Sequence, residues 1–276
     1  GNADNDAFDV ARDIKGKFPN IHCVVLTPFS HGITKRMQNE DLSIFDYVFC
    51  WLGNTNLILS IIKLIEDKMN LEHDIQEAGV QMILLVEDSI RFYSSILPNL
   101  YNYILEQSKN FSQEALNRHA ATMRMRGRPK VVLARTYEEA QKLYDKYSDN
   151  TLGVISDARF PLKSAAKAFG NEVMPEEKPK HRTDTFGREK CPDAGLQLFR
   201  YIRKNDPFVP LIIESSESEN RAKAEAEGFR FVDKNSKKMS VDLRRLMEEH
   251  MGFGDFIFRD PKTHEEIMRI HSLKEL

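Results

Sequence analysis

Four apolar runs in this chain end on side chains that could act together. Met82–Val86 runs into Glu87 and Asp88, and Leu152–Ser156 runs into Asp157. Pro210–Ile213 leads through Glu214 into Ser215 and Ser216, and Phe229–Val232 leads through Asp233 into Lys234. Two acids, a third carboxylate, a hydroxyl and a lysine are the set that magnesium-assisted phosphoryl chemistry needs. Mg²⁺ prefers hard carboxylate oxygens and keeps several waters. A carboxylate accepts a phosphoryl group only where the charge of the transition state is neutralised. A lysine does this as a point cation and a hydroxyl as a hydrogen-bond donor. A strand-end aspartate is commonplace alone, so the signal lies in the joint order.

These residues need a scaffold that brings strand ends together. From residue 82 onward, short apolar runs alternate with helical periodicity. Strands are expected at 82–86, 130–134, 152–156, 211–214 and 229–232. Helices are expected from about 89, over 137–147, 193–204 and 219–227 (with Gly228 just past the end), and over 241–250. Strands that alternate with helices imply a doubly wound parallel sheet, whose ligands lie beyond the carboxyl ends of the strands. The four tips would then converge.

Residues 82–250 resemble the receiver domain of bacterial two-component response regulators. Glu87-Asp88, Asp157 with Pro161 close behind, Ser215 after Pro210, Phe231 and Lys234 carry the resemblance, in the family's order. It implies a flavodoxin-like α/β fold with a five-stranded sheet in the order 2-1-3-4-5. Asp157 would be the phosphoacceptor. Asp88 and Asp157 would ligate Mg²⁺ directly, Glu87 through water, and the backbone carbonyl of Arg159 would add an oxygen. Ser215 would be the switch hydroxyl, with Ser216 the alternative, and Phe231 the aromatic partner of the switch. Lys234 would pair with the phosphoryl charge. Asn235 departs from the family, which has a proline after the lysine. The implied partner is a sensor histidine kinase or phosphotransfer protein. The competing reading is a phosphorylation-independent pseudo-receiver that acts as an interaction or dimerisation scaffold. No enzyme is expected, because an aspartyl-phosphate phosphatase needs an acid two residues after its nucleophile and Arg159 stands there.

The flanking segments are read as follows. Residues 1–70 resemble the back half of a degenerate receiver, α-β-α-β-α, with one helix at 34–39. Residues 71–81 read as a linker or as a continuation of the helix before it. Insertions fall near 107–128 and 162–192, the latter a surface loop rich in Lys, Glu and Pro. Residues 251–276 read as a connection to an output region. The layout bears a looser resemblance to receiver regions that precede bacterial phosphoenolpyruvate synthase-like enzymes. The edge strand in 1–70 suggests a homodimer. At 276 residues and a net charge of −2, no global field points to nucleic acid or an anionic membrane. The basic run Arg118–Lys130 reads as a solvated helix end. Three scattered cysteines, with no signal peptide or membrane span, fit a cytoplasmic protein.

Overall fold

The computed structural model describes residues 7–28, 44–113, 115, 117–163, 183–184, 187–253, 255–260, 262–263, 265–270 and 275. Helix α1 (Ala7–Lys17) precedes a parallel strand pair, β1 (Val24–Thr27) and β2 (Tyr47–Cys50), and a long helix α2 (Asn56–Ala78). The alternating series then runs β3 (Met82–Val86), α3 (Ile90–Gln113), α4 (Arg118–Arg126), β4 (Lys130–Ala134), α5 (Tyr137–Tyr147) and β5 (Thr151–Asp157). After a two-residue ladder, β6 (Phe160–Pro161) with β7 (Lys190–Cys191), come α6 (Ala194–Asn205), β8 (Leu211–Ser215), α7 (Glu219–Ala226), β9 (Arg230–Asp233) and α8 (Met239–His250). A final antiparallel hairpin pairs β10 (Phe256–Arg259) with β11 (Glu266–Ile270).

The central sheet has the order β4-β3-β5-β8-β9, with every pairing parallel. Counted along the series this is 2-1-3-4-5, the expected doubly wound α/β arrangement. Helices cover both faces, which is why the strands read as apolar runs rather than alternating ones. All five residues of β3 are buried, and its side chains divide by parity. Ile83 and Leu85 join Ile155, Ile212 and Val232 under α2, α3 and α8, while Met82, Leu84 and Val86 join Val154 and Ile213 under α5 and α6. Truncating one of these side chains to alanine would cost about 2–5 kcal/mol.

Several expectations for the flanks need correction. Residues 71–78 take the second of their two readings and continue α2: Leu71 is buried and Ile75 packs against the α5–α6 side of the core. Gly79, at φ +61°, then ends the helix: its N–H donates to the Ile75 carbonyl at 3.0 Å and the Val80 N–H donates to the Asp74 carbonyl at 3.3 Å. Arg128 and Lys130, expected on a solvated helix end, are buried in ion pairs: Arg128 with Asp67 at 2.6 Å, and Lys130 with Asp74 at 2.7 Å. Residues 256–270, expected as a bare connection, include the β10–β11 hairpin. The 162–192 insertion, expected as a surface loop, returns to the body through β6–β7 and a bridge between Thr183 and Glu189. Residues 164–182 of it, and the helix expected over 34–39, lie outside the described residues.

The front segment leans on the same core. Tyr93 of α3 donates its hydroxyl to the Val48 carbonyl, and Phe49 meets the Tyr93 ring edge-on at 5.3 Å. The Cys50 N–H donates to Ser94 Oγ at 2.9 Å. Among the described residues, no helix is long and apolar enough to cross a membrane.

Candidate functional site

The sheet register sets the site. Val86 pairs with Ser156, Asp157 with Glu214, and Ser215 with Asp233, so the tips of β3, β5, β8 and β9 end almost level. Glu87, Asp88, Asp157, Ser215 and Lys234, the side chains singled out in the sequence, all come together there. Gly195 permits a close approach from below. A β-carbon on it would lie 2.3 Å from the Asp157 carbonyl, so only glycine lets α6 start against the tip of β5.

Glu87, Asp88 and Asp157 each offer an oxygen within 4.8 Å of the other two. Glu87 and Asp88 are fully buried, whereas the Asp157 side chain is 13 % exposed and opens into a cleft of roughly 320 Å³. Asp157 Oδ1 accepts from the Ala158 N–H at 2.8 Å and lies 3.0 Å from the Lys234 ammonium. Lys234 also ion-pairs with Glu87 and sits over the Phe92 ring at 4.5 Å. Glu87 further accepts from the Ser89 N–H at 2.9 Å. Among the described residues the Asp88 carboxylate oxygens lack a hydrogen bond of good geometry, and the Lys190 ammonium lies 2.7 Å from Oδ2.

Burial dominates the electrostatics. It opposes the charge on Lys234, but Asp157, Glu87 and Glu214 outweigh it and hold the ammonium protonated. Burial raises Glu87 above the usual carboxylate range, with Lys234 opposing. Burial pushes Asp88 up to about 6, Lys190 opposing and Asp157 and Asp184 adding to the rise. A site of crowded, incompletely partnered carboxylate oxygens fits a small hard dication, which would give those charges a common partner.

Ser215 is buried with its Oγ accepting from the Glu217 N–H at 3.1 Å and from Asn220 Nδ2 at 2.9 Å. With both lone pairs engaged, its proton is what remains to give. Ser216, the alternative, is exposed at the cleft rim, and its carbonyl accepts from Asn235 Nδ2 at 2.8 Å. Asn235 therefore ties the β9 loop to the β8 loop in place of a proline. Phe231 is half-buried under the Arg221 guanidinium, 4.6 Å from the ring centre. The Arg159 side chain turns to Glu217 at 3.0 Å.

Two residues escaped the sequence reading. Glu214 follows an apolar run and resembles a strand end, yet it is fully buried and, among the described residues, both its carboxylate oxygens lack hydrogen-bond partners. Burial pushes its pKa up to about 7, Lys234 opposing and Asp157 adding to the rise. Lys190 belongs to a polar insertion without periodicity, and only the β6–β7 pairing aims it at Asp88. No sequence signal could have found it; for Glu214, the signal was an acid inside a strand that both faces bury.

No family model matches the chain, and no curated protein matches it. Two solved structures are similar over most of their own length. One is a response regulator receiver domain protein from Clostridium thermocellum, 18 % identical, with a TM-score of 0.35 over 63 % of this chain and 96 % of that one. The other is a two-component transcriptional regulator AraC from Clostridium phytofermentans ISDg, 15 % identical, with a TM-score of 0.31 over 62 % of this chain and 91 % of that one. Both likenesses are remote, and the geometry of the site stands without them.

Proposed function

We propose that residues 82–250 form a response-regulator receiver that accepts a phosphoryl group on Asp157 in phosphorelay signalling. The observation that carries this reading is the joint arrangement at the strand tips. Three carboxylates meet within 4.8 Å, a buried ammonium touches the one that is open to solvent, and a buried hydroxyl faces the same cleft. Asp88 and Asp157 would hold Mg²⁺ directly, Glu87 through water, and the Arg159 carbonyl would complete the protein's share. The ion's contribution is to neutralise charge on the phosphoryl oxygens. Lys234, pinned between Glu87 and Asp157, keeps Asp157 pointed at the cleft and offers its charge to the incoming group. Ser215 donates its hydroxyl proton to a phosphoryl oxygen. That shift draws on the β8 loop and frees Phe231 to leave the Arg221 guanidinium and rotate inward, a two-state change that a partner can read.

The donor would be a sensor histidine kinase or phosphotransfer protein. In this reading, residues 1–70 supply a dimer contact and 251–276 lead to the regulated output, a phosphoenolpyruvate synthase-like enzyme by the looser sequence resemblance. The exposed Ile58 and Ile62 on α2 support the dimer contact. The chain itself would be no enzyme, and its place would be the cytoplasm. One observation favours the pseudo-receiver scaffold instead: Lys190 already pairs with Asp88 without a metal ion. Intact-mass spectrometry after incubation with acetyl phosphate and Mg²⁺ separates the two. A receiver gains one phosphoryl group that Asp157→Asn does not; a scaffold gains none.

A further inference from the structure

We infer that Lys190 is a built-in competitor for the divalent cation, an ammonium that holds Asp88 until the metal ion displaces it. The inference rests on the metal-assisted reading above. It starts from the ladder that delivers Lys190. Phe160 pairs with Cys191 and Pro161 with Lys190. Side chains of directly opposed residues share a face of the ladder, and the next pair takes the other face. Phe160 is fully buried in the core and Cys191 packs against that side, so Lys190 points the opposite way, over the acids. Its ammonium ends 2.7 Å from Asp88 Oδ2.

The delivery is built, not incidental. Glu138 N–H bonds the Leu162 carbonyl at 3.1 Å on one side of the ladder. On the other, Asp184 closes a tight turn, accepting from the Arg188 N–H and Nε at 2.7 Å each. Gly187, at φ +73°, makes that turn, and its N–H bonds the Asp184 carbonyl at 3.1 Å. Polar insertions usually leave their lysines in water; this one spends a turn, a bridge and a ladder on placing one.

The two lysines of the site differ in a way that assigns them different roles. Lys234 is 1 % exposed and clasped by two carboxylates. Lys190 is 15 % exposed, touches one carboxylate, and lines the open cleft beside Asp157 and Ser215. Its flexible four-carbon stem can carry the ammonium off Asp88 without disturbing the ladder. A dication and an ammonium on one carboxylate repel each other, so binding of either weakens the other. Once released, Lys190 faces the space that a phosphoryl group on Asp157 would occupy, and that group gives it a new partner.

The test measures metal affinity directly, with Mg²⁺ titrated calorimetrically into the full chain. Lys190→Met keeps the stem and loses the charge; Lys190→Arg keeps the charge. The Met variant should bind Mg²⁺ about tenfold more tightly than the parent, and the Arg variant within about twofold of it. Equal or weaker binding by the Met variant overturns the proposal while leaving the receiver reading intact. Mg²⁺ binding by neither parent nor Met variant overturns the metal-assisted reading, and the proposal with it. A second measurement needs no variant: amine-reactive labelling of the parent, read peptide by peptide in the mass spectrometer. Saturating Mg²⁺ should speed labelling of Lys190 several-fold and leave Lys234 protected. An unchanged Lys190 rate at saturation contradicts the displacement.

Discussion

Two groups of buried charges sit at opposite ends of the sheet. At the start of β4, Asp67 accepts four hydrogen bonds, one on Oδ1 and three on Oδ2. Arg128 meets it at 2.6 and 3.1 Å, Val131 N–H at 2.9 Å and the Tyr101 hydroxyl at 2.9 Å. At the strand tips the balance is reversed. Glu87, Asp88, Asp157 and Glu214 face two lysines, and Glu214 has no hydrogen-bond partner for either oxygen among the described residues. The first cluster is closed and clamps α2 and α3 onto β4. The second keeps excess negative charge out of water, at a cost in stability that a purely structural role does not explain. A buried charge group is structural when it is satisfied; when it is in excess, it is waiting for a cation or holding protons.

That contrast can be broken by mutation. Asp67→Ala leaves Arg128 charged and buried, and should lower stability by about 3–5 kcal/mol in chemical denaturation. Asp88→Asn removes a charge that burial penalises more than the Lys190 ammonium offsets, so the variant should be no less stable than the parent in metal-free buffer. Equal losses in the two variants would erase the distinction.

The next effect is on pH. Burial raises Asp88 from 3.8 to about 6 and Glu214 from 4.5 to about 7. The folded chain therefore keeps protons that the unfolded chain has released. The stability they contribute is full below the unfolded values and lost as pH rises through about 6 and about 7. Metal-free protein should be less stable at pH 8 than at pH 5 by on the order of a few kcal/mol, and Mg²⁺ should restore part of the loss at pH 8. A flat or rising profile without metal would contradict the account of the second cluster.

Glu214→Gln sharpens it further. The neutral amide should raise stability at pH 8 by about 1–3 kcal/mol and change little at pH 5, flattening the profile between. The smallest effect belongs to the surface. Arg244 pairs with Glu106 at 3.0 Å and Glu248 at 2.9 Å, but all three side chains are about half exposed. Arg244→Ala should move the denaturation midpoint by less than about 0.5 kcal/mol equivalent.

Much of the fold was legible because a doubly wound sheet writes itself into apolar runs. Met82–Val86 and Leu211–Ile213 cannot alternate when helices bury both faces. The candidate site was legible for a related reason: polar residues directly after such runs fall at one rim of the sheet. What the sequence hid depends on partners far along the chain. Asp67 and Arg128 look like an ordinary helical acid and a member of a basic run until α2 and β4 pack side by side. Leu71 and Ile75 lie among so many charges that, past Met69, the sequence leaves a linker and a continued α2 both open. Lys190 takes its role from a two-residue ladder, too short to leave any periodicity. In the C-terminal hairpin, β11 alternates weakly and leaves Ile267 and Met268 exposed, so its pattern does not announce a strand.

The most direct test asks which carboxylate takes the phosphoryl group. The chain is incubated with acetyl phosphate and Mg²⁺, quenched with borohydride to reduce any acyl phosphate to an alcohol, and mapped by peptide mass spectrometry. The account predicts homoserine at position 157 and unmodified Asp88, Glu87 and Glu214. Reduction at one of those three, or at none of the four, would contradict the assignment of Asp157 as the phosphoacceptor.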